Sequence, residues 1–164
     1  MLKRLMSSML LLLLAIVAGR KGDRQAASKN LRDAAGLAER LGQDGNWLWT
    51  AFGPTNIAIH ELAVHVVLGD SRAALQFAES IDTDALPDVL RGRRSQVHLE
   101  LGWASVGQGD DSLAVLHLLE AERVAKQAVS RNASARELLS TLLSRERKSA
   151  TPGLRSLAMR AGAA

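Results

Sequence analysis

One apolar stretch of the chain contains His60-Glu61-Leu-Ala-Val-His65, the residue types from which helical zinc sites are built. Zinc-binding histidines on a helix stand four apart, so that both rings share a face beside the glutamate that acts as general base. Here they stand five apart, which turns the second ring by about 140° on a helix of 3.6 residues per turn. His98 and His117 lie in other segments, and no spacing links them to this pair or to each other. Gly107-Gln-Gly-Asp-Asp-Ser has the glycines of a phosphate loop but not its Lys-Ser/Thr. Asp82, Asp84 and Asp88 flank Pro87, where aspartate serves turn geometry. No serine sits in a Gly-x-Ser-x-Gly elbow. With no cysteine there is no thiolate nucleophile, disulfide or thiolate zinc site. The expectation is a non-enzymatic chain with no catalytic residue, no metal and no cofactor.

The elements that would position any binding residue follow from a repeat. Gly-Asp occurs at Gly22-Asp23, Gly69-Asp70 and Gly109-Asp110. Five residues after each glycine stands an alanine: Ala27, Ala74 and Ala114. Leu31, Ala78 and Leu118 come four further on, then Ala34, Ile81 and Ala121 three beyond those. Glycine ends one helix in a left-handed cap, and aspartate turns the chain into the next. The offsets of 0, 4 and 7 put small and apolar side chains on one stripe, where two helices can approach closely. Apolar helices are expected ahead of the glycines over residues 2–19, 55–68 and 89–106. Three helical hairpins follow, at about 2–41, 55–81 and 88–127. Alanine, leucine and arginine are abundant, with three prolines and no tyrosine, which also favours helix.

The fold class is therefore all-α: stacked hairpins in an α-solenoid, each burying a face on the next. The Gly-Asp-x3-Ala-x3-Leu-x2-Ala pattern resembles tetratricopeptide repeats, which implies a tetratricopeptide-like array. The stretch Ala135-Arg-Glu-Leu-Leu-Ser-Thr-Leu-Leu turns Leu138, Leu139, Leu142 and Leu143 inward. It reads as a capping helix over about 133–147, completing one repeat domain over 1–147. Thr151-Pro-Gly then breaks the helix, leaving 148–164 as a flexible basic tail. Residues 1–130 carry 14 Lys+Arg against 15 Asp+Glu, a net −1, whereas 131–164 carry 7 against 2, a net +5. That end offers an alternative function, contact with nucleic acid by counterion release. Segment 42–54 is the longest link between repeats, and Trp47, Trp49 and Phe52 are expected to pack it onto the stack. At the amino end, Met1-Leu-Lys-Arg and the apolar run 9–18 have the shape of a secretory signal. The repeat register instead makes this segment the first buried helix, with a cytoplasmic chain as the consequence. The alternative is a secreted or membrane-surface helical adaptor. The run is too short to span a bilayer, which takes about 20 residues.

Three further stretches carry a resemblance: Trp49-Thr-Ala-Phe-Gly-Pro-Thr-Asn-Ile-Ala-Ile-His60, Leu118-Leu-Glu-Ala-Glu-Arg123, and Arg136-Glu-Leu-Leu through Arg145-Glu-Arg-Lys-Ser-Ala-Thr-Pro-Gly-Leu-Arg155. Over about residues 10 to 160 the chain resembles the C-terminal repeat domain of helix-turn-helix transcriptional regulators from GC-rich Gram-positive bacteria. The resemblance implies a sensing or protein-interaction module without its DNA reader, as in a truncated regulator or one with a mis-set start, so that DNA contact is indirect. It also implies a ligand face formed by the first helix of each hairpin. In this sequence that face would hold Asn56, Ile59, Ala63 and Val66, together with Gln96, Leu99 and Trp103. Asn56 and Gln96 could hydrogen-bond an extended peptide, and Trp103 could anchor it. The expected partners are a peptide, a protein or a small effector, with no membrane contact. An uncovered first helix is expected to drive self-association.

Overall fold

A computed structural model of the chain describes residues 2–39, 53–83, 86 and 88–163. Among the described residues there are nine α-helices, one short 3-10 turn and no strand. The chain divides into two compact units, Met1–Leu90 and Arg91–Ala164.

The first unit is built from α1 (Leu2–Arg20), α2 (Arg24–Ala38), α3 (Pro54–Val67) and α4 (Ser71–Ala78), and ends in the 3-10 turn Asp88–Leu90. Helices α1 and α2 form a hairpin, α3 lies against both of them, and α4 folds back on α3. The core joins Leu12, Ala15 and Ala18 of α1 to Ala27, Leu31, Ala34 and Ala38 of α2 and to Ile57 and Val64 of α3. The apolar amino-terminal run is thus half of a core. Gly19 makes the contact with α3 possible, since a Cβ there would stand 2.7 Å from Val67 Cγ2.

The second unit holds α5 (Arg91–Gly107), α6 (Asp111–Val124), α7 (Lys126–Ser130), α8 (Ala133–Ser144) and α9 (Leu154–Ala161). Helices α5 and α6 form its hairpin, and α7, α8 and α9 pack around it. The expected capping helix is α8, capped by Asn132 Oδ1, which accepts from Ala135 N at 3.2 Å. Its Leu138, Leu139 and Leu142 are buried, as the leucine spacing requires.

The three Gly-Asp corners share one geometry. Gly22, Gly69 and Gly109 have φ of 76°, 77° and 78°, a left-handed conformation that costs glycine little. Behind each, the aspartate N–H reaches back five residues, to Ala18 O, His65 O and Ser105 O, at 2.9 Å in every case. The glycine N–H bonds the carbonyl three residues earlier. Two of the orphan carbonyls of the ending helix are thereby satisfied. Ala27, Ala74 and Ala114 are all fully buried. Across the third corner, a Cβ on Gly102 would stand 2.9 Å from Leu138 Cδ2 and 3.6 Å from Ala114 O, and Ser95 Oγ donates to Ala121 O at 3.0 Å.

One expectation about the termini is corrected. The carboxyl end is not a loose basic tail: residues 154–161 form α9, with Leu154, Leu157, Ala158 and Ala161 buried in the core of the second unit. The spacing 0, 3, 4, 7 is an amphipathic stripe, and the arginines meet carboxylates. Arg160 Nε bonds Glu122 Oε1 at 2.8 Å, Arg155 Nε bonds Glu146 Oε2 at 2.7 Å, and Arg145 bonds Asp111 at 2.5 Å. The Arg160 guanidinium holds the Glu122 carboxyl below its ordinary range. The expected packing of Trp47, Trp49 and Phe52, and the positions of Asp84 and Pro87, lie outside the described residues.

Candidate functional site

In the first unit the candidate residues sit on α3, which opens with Pro54 at its first turn after Gly53. Proline is suited to that place because its missing N–H would have had no partner. A helix apolar on nearly every side is enclosed by its surroundings. Accordingly Ile59 and Ala63 are core, and Asn56 is only 1% exposed. Val66 is half-buried. The expected open ligand face is therefore closed at three of these four positions. Asn56 keeps one unusual property: its Oδ1 is buried and has no hydrogen-bond partner. A lone buried acceptor of this kind costs about 1–3 kcal/mol.

The two histidines of α3 serve separate neighbours. His60 Nδ1 lies 2.8 Å from the Asn56 carbonyl oxygen. A carbonyl only accepts, so Nδ1 carries the hydrogen. The His65 ring lies 5.6 Å from Phe77, centroid to centroid. Among the described residues no group of three or more His, Cys, Asp and Glu is placed to hold a metal ion.

In the second unit the candidate residues sit on α5, and each is already engaged. Gln96 Oε1 accepts from Arg93 Nη1 at 2.9 Å, Leu99 is core, and Trp103 donates its indole N–H to Ser134 Oγ on α8 at 2.8 Å. The Trp103 ring also packs against the core of this unit. The two amides and the tryptophan expected to act together thus belong to two separate units, and their polar groups are buried or internally bonded.

The sequence reading missed a juxtaposition in the same unit. His98 of α5 and His117 of α6 stand ring to ring, with Nδ1 atoms 3.4 Å apart and centroids 5.7 Å apart. Burial pushes both imidazoles below their ordinary value. Arg123 pushes His98 further down while Glu120 opposes it, and His98 adds its own repulsion at His117. Glu120 and Arg123 are themselves paired at 2.6–2.7 Å. The signal was available in the corner register. Position 7 before the glycine meets position 5 after it, and 14 before meets 12 after. His98 and His117, 11 before and 8 after, fall almost opposite each other.

Two concavities lie within single units. A polar cleft of about 550 Å³ in the second unit is lined by Gln108, Asp110, Asp111, Ser112, Arg145 and Arg147 among others. That volume suits a small ligand, but Asp111 and Arg145 neutralise one another and Ser112 Oγ donates to Ala150 O at 2.7 Å. A pocket of about 170 Å³ between α2 and α3 is lined by Ser28, Leu31, Arg32, Ala35, Ile57 and Glu61.

Comparison with protein-family models, with curated proteins and with solved structures finds no match to this chain. What stands, among the described residues, is an all-helical chain organised on three Gly-Asp corners of one geometry.

Proposed function

We propose that the chain is a non-enzymatic helical-repeat module, the sensing or protein-interaction part of a helix-turn-helix transcriptional regulator. In this reading the hairpins form a tetratricopeptide-like array that takes up a peptide segment of a partner. The observation that supports it best is the identity of the three corners in φ and in hydrogen bonding, the mark of one supersecondary unit used repeatedly. In an intact regulator, a partner with different affinity for two states of the array would bias the DNA reader.

The docking point we favour is the first turn of α3, where Asn56 Oδ1 lacks a donor. A peptide N–H reaching it as that turn opens would recover the cost of the unpaired acceptor. Selecting from a displayed peptide library on the immobilised full chain tests this reading, with Asn56→Ala as the counter-selection. Peptides should be enriched on the native chain and lost on Asn56→Ala, while the helical melt of the variant stays unchanged or rises. Enrichment that ignores the substitution would sink the docking point, and no enrichment would sink the peptide reading. An in-frame helix-turn-helix in the genomic stretch upstream of Met1 would tie the module to a regulator.

A further inference from the structure

The outer row of α1 is the largest run of exposed apolar side chains among the described residues. Met6, Leu10, Leu13, Leu14 and Val17 are between 47% and 60% exposed. Their offsets of 0, 4, 7, 8 and 11 put them on one face of the helix. The opposite face is fixed in the core through Leu12, Ala15 and Ala18, so the row cannot turn inward. Five such side chains, on the order of 100 Å² apiece, form a patch at the upper end of what monomers leave in water.

Charge decides what covers it. Arg20, three residues after Val17, continues the row at its carboxyl end with Lys21 beside it, and in the sequence ahead of Met6 the charged residues are Lys3 and Arg4. The first acidic residue of the chain is Asp23. A second copy of α1 would set cations against cations whether the helices ran parallel or antiparallel. The five side chains between the cations offer no hydrogen-bonding group by which a protein partner could be oriented. An apolar strip with positive ends and no acid fits a surface that is apolar beneath and anionic above.

We propose that α1 docks lengthwise on the surface of an anionic lipid bilayer. The row enters the headgroup–acyl boundary, and the exposed cations Arg20 and Lys21 meet the lipid phosphates. The helix lies in the interface and does not cross it, since no helix among the described residues is long and apolar enough to span a membrane. This surface is on a different helix from Asn56, so it stands or falls independently of the peptide reading.

The test is flotation of the full chain with vesicles of phosphatidylglycerol and phosphatidylcholine, beside vesicles of phosphatidylcholine alone. Binding should be at least about tenfold stronger on the anionic vesicles and should weaken as salt rises from about 0.1 M to about 0.5 M. Leu10→Gln, Leu13→Gln and Leu14→Gln together replace exposed side chains with good helix formers, so helical content should persist while flotation falls about tenfold or more. Arg20→Gln with Lys21→Gln should weaken binding to the anionic vesicles only. The proposal is overturned if the chain floats with neither vesicle, or if the triple variant floats as well as the native chain. It is equally overturned if light scattering shows a dimer that the triple variant dissolves without any vesicle binding, because a second copy then covers the face.

Discussion

Two hairpins with the same corner meet different surroundings. In the second unit α5 and α6 are packed round by α7, α8 and α9, and the buried leucines of the last two helices close the core. In the first unit α1 and α2 are covered by α3, yet α1 keeps a row of five exposed apolar side chains. The exposed large apolar residues of the second unit, Leu116 and Met159, stand on different helices. The corner and its small residues therefore specify that a hairpin forms and at what distance. They do not specify what lies over it. Closure is a separate property, carried in the second unit by α8 and α9.

The comparison is broken most directly with two leucines of opposite surroundings. Leu157 of α9 is fully buried, so Leu157→Ala should cost roughly 3 kcal/mol. Leu10 of α1 is 60% exposed, so Leu10→Ala should change stability by less than about 0.5 kcal/mol. Urea titrations of the full chain followed by helical ellipticity measure both. A small effect at Leu157 would return the carboxyl end to the status of a loose tail.

Trp103 is the next largest effect. Its half-buried ring packs on the core and its N–H bonds Ser134, so Trp103→Ala should cost about 2 kcal/mol, less than a fully buried tryptophan. Ser134→Ala should cost only about 0.5 kcal/mol, the worth of one partly solvated hydrogen bond. If Trp103→Ala left the melt unchanged and weakened partner binding, this side chain would belong to a ligand face after all.

These contrasts show how far the residues could be read in advance. The corners were legible because glycine, aspartate and alanine recur at fixed offsets, and each offset has a local cause in a cap or a close approach. The helix starts followed for the same reason, as did the inward leucines of α8. Three things escape a reading of local spacing and charge. Segment 148–164 was read by its charge, although Leu154, Leu157, Ala158 and Ala161 already formed a stripe, and its arginines find carboxylates distant in sequence, Glu122 and Asp111. The ligand face was read from helix order alone, which does not say that Ile59 and Ala63 are enclosed. The His98–His117 contact needed the pairing rule across the corner, and spacing within one segment cannot supply that.

A smaller effect separates the corners themselves. Asp23 Oδ1 accepts from Ala26 N and Asp110 Oδ1 from Leu113 N, each at 2.9 Å. Asp70 makes no such cap. Its carboxylate instead binds the Arg24 guanidinium of the neighbouring corner through both oxygens, which holds it below its ordinary range. Asp23→Ala and Asp110→Ala should each cost about 1 kcal/mol, with little dependence on salt. Asp70→Ala should cost less, and its cost should shrink further at high salt, since the pair is exposed and screened. Equal costs at all three aspartates, insensitive to salt, would mean that Asp70 is a cap like the others.

The smallest effect is the pH dependence carried by the histidine pair of the second unit. His98 and His117 face each other there, with Glu120 and Arg123 of α6 beside them. Burial depresses both pKa values in the folded chain, whereas unfolded histidine titrates at about 6.5. Above that value both states are neutral and the contribution to stability is fully present. As pH falls, the unfolded chain takes up protons that the folded pair refuses, so stability declines until the pH has passed through the depressed folded values. Denaturation midpoints at descending pH should show this loss, and His117→Gln should flatten it by removing one titrating ring and the repulsion it meets. Because Glu120 pulls His98 the other way, Glu120→Gln should steepen the loss, provided Arg123 keeps its place. A midpoint as high at acidic pH as at neutral pH would mean that the two rings separate and take up their protons without strain on α5 and α6.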